Sequence, residues 1–193
     1  MAVKGFEMTL FQDIMPEVIS DDVIELKARI NHDLDEEYFQ QINQNREFLR
    51  QYLLWVDKTN SLDDCIAATK MFTEEWSNGK IFGYSLVLKA SNKLIGSIDL
   101  HNISKENYKA EIGYWLAQHE NGKGFISRAV KLIEKAAFDL GLHRIEIEIQ
   151  KDNLPSIRVA ERNNYILEGS HKDALYKYGQ FYDKLVFAKI NNS

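Results

Sequence analysis

Residues 111–150 constrain the fold of this chain more than any other stretch, because they run strand, turn, helix, strand. Residues 122–140 carry apolar side chains at Ile126, Ala129, Val130, Ile133, Ala137 and Leu140, the spacing of a helix with one buried face. Gly141 is a natural helix stop. Residues 144–150, RIEIEIQ, then alternate strictly. Ile145, Ile147 and Ile149 point one way, and Glu146, Glu148 and Gln150 the other. Residues 110–116, ahead of the helix, also read as a strand. Two strands joined through a helix run parallel, because the crossover returns the chain to the edge from which it started.

The flanking segments predict antiparallel structure around that pair. Residues 23–30 read as a first strand, residues 33–54 as one or two helices, and residues 62–76 as a helix capped by Ser61 and ending near Asn78-Gly79. Residues 81–88, 94–101 and 110–116 form a three-strand meander with short polar connections. Pro155 opens a short helix over residues 156–162. Residues 166–176 and 180–190 are two closing strands joined at 177–179. The fold class is therefore α/β, a mixed and mostly antiparallel sheet flanked by helices. At about 150 residues per domain, 193 residues predict one domain spanning 1–193.

Several function classes are disfavoured at this level. No apolar run approaches the about 20 residues of a membrane span, so no membrane association is expected. The opening residues lack an apolar secretion-signal core. Cys65 is the one cysteine, so no internal disulfide can form, and a reducing, cytoplasmic setting is expected. Residues 1–110 hold 12 Lys and Arg against 18 Asp and Glu, and residues 111–193 hold 12 against 11. An acidic first half argues against a nucleic-acid groove and suits a cationic substrate such as an amine, although acidic surfaces also serve solubility. No His, Cys, Asp and Glu spacing suggests a metal site.

The chemistry concentrates where the central helix begins. Gly122-Lys123-Gly124 follow a short polar loop and precede the helix. Helix N-termini leave N–H groups unpaired and carry partial positive charge, and glycines let those groups close on an anion. Glycine also serves any tight strand-to-helix turn, so the motif alone leaves both readings open. Neither a P-loop nor a dinucleotide fingerprint is present, since the following Lys-Ser/Thr and the third glycine are missing.

Five segments taken in order are more specific. They are Glu111-Ile-Gly-Tyr-Trp-Leu116, Asn121-Gly-Lys-Gly124, Gly141-Leu-His-Arg-Ile-Glu146, Asn153-Leu-Pro-Ser156 and Val159-Ala-Glu-Arg162. Together they resemble the GNAT acetyltransferase superfamily, and within it the ribosomal-protein N-terminal (Ser/Ala) acetyltransferases, the Rim group. Leu167-Glu-Gly169 and Tyr178-Gly-Gln-Phe-Tyr-Asp183 fit as well. The likeness covers residues 80–190 and is loose over the first 80.

The resemblance implies a V-splayed sheet and acetyl-CoA as cosubstrate, with no metal. Its pyrophosphate would lie on the backbone of Asn121, Gly122, Lys123, Gly124, Phe125, Ile126 and Ser127. Its pantetheine arm would lie beside Trp115, Leu116 and Ala117, with a backbone N–H near Leu116 polarising the thioester. The family usually has Gln or Arg at the position of Asn121 and often Gly or Ala at that of Ile126; backbone-mediated binding tolerates both departures. Asn153 would fix the pantetheine amide or the active-site loop, or serve as a turn residue. Where many members carry a Tyr, Ala160 stands here. In the Rim group a Ser is proposed to assist thiolate departure, and Ser156 matches it. Ser156 also suits a helix cap.

Amine acetylation also needs a base. Glu111 is the candidate, since it shares a strand face with Gly113 and Trp115, where apolar neighbours would raise its pKa. A salt bridge at the strand edge is the structural alternative. Asp99 and His101 are the next candidates. Lys123 and Arg128 suit CoA phosphates or solvent, and Trp55 and Trp76 suit the cleft or the core. His119 reads as a solvated loop residue, Cys65 as an idle buried thiol, and Tyr176 and Tyr178 as part of the closing hairpin.

The expected function is direct acetyl transfer in a ternary complex to a primary amine, the N-terminal α-amine of a (ribosomal) protein or peptide. A small-molecule acetyltransferase acting on polyamines, aminoglycosides or peptide antibiotics is the alternative, and a non-catalytic acyl-CoA-binding module is a third. The chain is expected as a monomer or a homodimer.

Overall fold

The computed structural model describes residues 15–191. The opening residues read above for a secretion signal lie largely outside them. Eight strands form one sheet in the order β1-β2-β3-β4-β5-β6-β8-β7. They are β1 Val18–Ser20, β2 Ile24–Ala28, β3 Phe82–Leu88, β4 Lys93–Ser104, β5 Lys109–Leu116, β6 Arg144–Gln150, β7 Ile166–Lys177 and β8 Gln180–Ile190. The helices are α1 Asp35–Gln44, α2 Arg46–Leu49, α3 Leu62–Ser77, α4 Phe125–Asp139 and α5 Leu154–Arg162. Each neighbouring pair of strands is antiparallel except β5 and β6, which run parallel. The strand β1 escaped sequence reading because three residues carry too little periodicity.

The parallel pair is short. Its register covers Lys109↔Arg144, Ala110↔Ile145 and Glu111↔Glu146, and there it stops. Beyond those pairs β5 stays on β4 as far as Gly96↔Leu116, while β6 stays on β8 as far as Gln150↔Lys184. The two halves of the sheet thus part into a V.

Each sheet face has its own core. On one face Ile112 and Leu116 of β5 and Ile145, Ile147 and Ile149 of β6 pack with Ile126, Ala129, Val130 and Ile133 of α4. On the other face Tyr38, Ile42, Leu49, Val56 and Cys65 pack on Val87, Leu94 and Trp115. Trp76 meets Phe82 and Tyr84 edge-on at 5.0 and 5.2 Å, which makes it a core residue. Burial raises the pKa of the Cys65 thiol, so it is inert.

Local signals explain the element ends. Ser61 and Asp64 form a reciprocal capping box at α3. The helix α4 begins at Phe125 instead of Gly122, because Gly122 and Gly124 take φ of +80° and +83°, which no helix accepts. The helix α5 begins at Leu154, capped by Asn153 Oδ1, which accepts the Ser156 N–H at 3.3 Å. Asn153, and not Ser156, is therefore the cap.

Close approach of β4 and β5 fixes another glycine. A Cβ on Gly96 would lie 2.3 Å from the Trp115 carbonyl oxygen, a backbone atom that cannot swing away. Gly96→Ala should therefore destabilise the protein by about 1–3 kcal/mol, the usual cost of overpacking. Urea denaturation measures it, and an unchanged midpoint would show that the strands can part freely.

Candidate active site

The gap between β5 and β6 opens onto two adjoining cavities. The first, of about 120 Å³, is mainly apolar and runs between Tyr114, Trp115, Leu116, Asn121, Ile126 and Ser156. The second, of about 260 Å³, is lined by Glu111, His101, Gln150 and Lys184 among others. Tyr52, Leu53, Tyr114, Asn153 and Ser156 line both. The candidates Glu111 and Ser156, 45 positions apart in the chain, thus face one cavity.

Asn121 and Ile126, which flank the glycine turn, line the first cavity. No side chain caps α4, so the N–H groups of its first turn have no capping partner. Ser127 Oγ, in that turn, is buried without a hydrogen-bond partner. These features suit a phosphate group. Ile126 packs with the core residues beneath α4 and also borders the first cavity. The two nearby cations are engaged. Lys123 Nζ lies 2.8 Å from Glu120, and Arg128 pairs with Asp21 and Asp22 at 2.8 and 2.9 Å. His119 pairs with Glu120 at 3.2 Å.

Strand geometry sorts the β5 candidates. The Ala117 N–H donates to Ile95 on β4 at 2.8 Å, and its carbonyl accepts from Glu120 at 3.0 Å. Ala117 is fully buried, which leaves it no polar group for a ligand. N–H groups alternate in direction along a strand, so the Leu116 N–H faces the gap. Trp115 walls the cleft from the opposite sheet face, tilted 6.3 Å from Trp55. Trp55 belongs to a further cavity of about 470 Å³ that also reaches Asp99.

Glu111 does not stand alone. His101 lies opposite it on β4, with His101 Nε2 3.6 Å from Glu111 Oε2 and His101 Nδ1 2.6 Å from Asp99 Oδ1. Burial disfavours charge on the imidazole, but the two carboxylates outweigh it and push His101 up to about 10. The same pairing holds Glu111 below the usual carboxylate range, against the opposing effect of its burial. The raised pKa expected for Glu111 is thereby corrected, because apolar neighbours lose to an imidazolium 3.6 Å away. Gly113 makes room for the array. A Cβ there would sit 3.2 Å from His101 Cε1 and 3.3 Å from both Asp99 oxygens.

Ser156 has a partner that sequence reasoning missed. Tyr114, on the α4 side of β5, places its hydroxyl 2.6 Å from Ser156 Oγ. Burial pushes the Tyr114 phenol up to about 12, so it stays protonated. Strand alternation put Tyr114 on the face opposite Glu111. Only its position beside the Ser156 motif, in a gap between parting strands, could have suggested the contact. Ala160, at the position where many relatives carry Tyr, is fully buried and supplies no hydroxyl.

The closing hairpin completes the wall. The Lys177 amine donates to the Gln51 carbonyl, and the Tyr178 hydroxyl donates to Asp57 at 2.6 Å. These contacts hold the segment carrying Tyr52 and Leu53 over the gap. Among the described residues no cluster of His, Cys, Asp or Glu could hold a metal ion, and no helix is long and apolar enough to cross a membrane.

The sheet splays after a three-residue parallel pairing, with an uncapped glycine turn at its mouth, the arrangement that the resemblance to the GNAT acetyltransferases implies. The family model of the acetyltransferase (GNAT) domain matches residues 26–165. The chain belongs to the GNAT acetyltransferases. It is an N-acetyltransferase that uses acetyl-CoA. It is 33% identical over 162 residues to the ribosomal-protein-serine acetyltransferase of Escherichia coli (strain K12), covering 80% of this chain and 86% of that protein. Among solved structures it is similar to RimL, a ribosomal L7/L12 alpha-N-protein acetyltransferase in complex with coenzyme A. That likeness has a TM-score of 0.84 at 26% identity, over 92% of this chain and 98% of that one. It is equally similar to MccE, the microcin C7 self-immunity acetyltransferase in complex with acetyl-CoA and AMP. There the TM-score is 0.84 at 27% identity, over 89% and 94% of the two chains.

The imidazole pKa tests the array. By NMR, His101 should titrate far above the ordinary value of about 6.5, towards 10, and Glu111→Gln should lower it by removing one anion. A folded-state pKa raised in this way stabilises the fold fully below pH about 6.5, and that contribution fades as pH climbs through 10. Titration of His101 near its ordinary value would refute the pairing.

Proposed function

We propose that this chain, as one domain, acetylates the N-terminal α-amine of a protein or peptide by direct attack in a ternary complex. The observation that carries this reading is the shared cavity. A carboxylate–imidazolium–carboxylate array and a Ser–Tyr hydroxyl pair line it from opposite faces of the sheet. Acetyl-CoA supplies the acetyl thioester.

Asp99 and Glu111 carry two negative charges against one positive charge on His101, so the array draws in an ammonium group. Glu111 takes the proton as the amine attacks. Its lowered pKa makes it a modest base, and an α-amine, with a pKa of about 8, suits such a base better than a lysine side chain does. The Leu116 N–H, directed into the gap, donates towards the carbonyl oxygen where negative charge develops. With Tyr114 as the donor in its 2.6 Å contact with Ser156 Oγ, the Ser156 hydroxyl is free to donate to the departing sulfur. Asn153 holds the Ser156 backbone in place.

The names of the ribosomal-protein relatives support an α-amine on a ribosomal protein as the acceptor. The equal likeness to a microcin self-immunity acetyltransferase supports a second reading, a small-molecule or peptide-antibiotic amine.

Thiol release from acetyl-CoA, measured against N-terminal peptides, polyamines and aminoglycosides, separates the readings. Peptides should be the best acceptors, and release with polyamines alone would replace the first reading by the second. Glu111→Gln and Ser156→Ala should each slow the chemical step by at least about tenfold, an ordinary acid–base contribution. Tyr114→Phe should slow it in the same direction with KM for acetyl-CoA unchanged. Wild-type rates in Glu111→Gln and Ser156→Ala would remove both residues from the mechanism.

A further inference from the structure

Gln150 ends β6 at the wide end of the V. It still pairs with Lys184 of β8 but no longer with β5. Strand alternation puts its side chain on the face of Glu146 and Glu148, the same face as Glu111. The residue is only 8% exposed. Its Nε2 lies 2.6 Å from Asp152 Oδ1. A carboxylate only accepts, so this contact fixes which way the amide points and turns Oε1 away from Asp152. The buried Oε1 has no hydrogen-bond partner in the protein. The neighbouring groups have partners of their own: Lys184 Nζ donates to Glu148 at 2.6 Å, and the Tyr114 and Ser156 hydroxyls share one hydrogen bond. A buried carbonyl-type oxygen without a donor is unfavourable and rare, and a ligand that brings a donor removes the penalty.

The cavities identify the ligand. Gln150 lines the cavity that holds Glu111 and His101. It does not line the mainly apolar cleft bounded by Leu116, Asn121 and Ile126. The missing donor therefore belongs to the amine acceptor and not to the cosubstrate. We propose that Gln150 Oε1 accepts a hydrogen bond from a second N–H of the acceptor, which in a peptide is the first peptide N–H beyond the acetylated amine. This assignment rests on the reading of the chain as an N-terminal α-amine acetyltransferase. It makes Gln150 a recognition residue that distinguishes peptides from simple monoamines.

Two independent measurements test it on the full chain with acetyl-CoA. Gln150→Met keeps the length of the side chain and removes the acceptor oxygen. It should raise KM for an acetylated peptide about tenfold, the worth of one well-placed hydrogen bond. The KM for acetyl-CoA and the kcat should be unchanged. With the wild-type protein, an acceptor whose first peptide N–H is replaced by an ester oxygen should lose the same factor, and Gln150→Met should then cost nothing more. The wild-type comparison stands even if the variant folds poorly. A peptide KM unmoved in both experiments would overturn the Gln150 contact while leaving peptide acetylation intact. A rise confined to the KM for acetyl-CoA would also overturn it, assigning the oxygen to the cosubstrate. Acetylation of polyamines but of no peptide would overturn the α-amine reading and this contact with it.

Discussion

The site depends on a pairing that ends early. Between β5 and β6, only Lys109 to Glu111 keep register with Arg144 to Glu146. Past that point, each strand follows its outer neighbour, and the right-handed twist of two separately anchored half-sheets pulls them apart. Had the ladder continued, the Leu116 N–H would be spent on β6 and Gln150 would be sealed against β5. Because it stops, backbone groups and side chains that a closed sheet would consume are left facing a cavity. The two cores hold the halves in that position, one beneath α4 and one beneath α1, α2 and α3.

Charge in the cavity follows from the same geometry. Antiparallel pairing of β4 with β5 sets His101 opposite Glu111 and Asp99 opposite Gly113. Because Gly113 has no side chain, the imidazole and the Asp99 carboxylate can lie over β5. One imidazolium then faces two carboxylates, and it and Glu111 each stabilise the charged form of the other. The consequence is an anionic surface in the cavity between the parting strands instead of a neutral, strongly basic carboxylate. Such a surface recruits a cation well, and it suits an amine that gives up its proton readily.

Much of this was legible in the sequence, for identifiable reasons. The alternation in residues 144–150 and the apolar spacing of α4 forced the parallel pair. The phase of residues 111–116 set Glu111, Gly113 and Trp115 on one face, as the two cores require. Gly122 and Gly124 marked the turn through their need for positive φ. The first strand was lost because it is three residues long. The start of α4 was set too early because glycines that precede a helix look, in a linear pattern, like part of it. Ala117 looked available until its two backbone groups were traced to Ile95 and Glu120.

By itself, the sequence determined the order of the longer elements, the faces of its strands, the glycine turn and the resemblance to the family. These are properties of local periodicity and backbone freedom, written in neighbouring residues. Only the tertiary structure decided the sign of the Glu111 shift, the Tyr114–Ser156 hydroxyl pair and the orphan oxygen of Gln150. A proton affinity or an unmet hydrogen bond is the sum of whatever surrounds a group. Here those surroundings come from β4, β5, β6 and α5, elements brought together only when the chain folds.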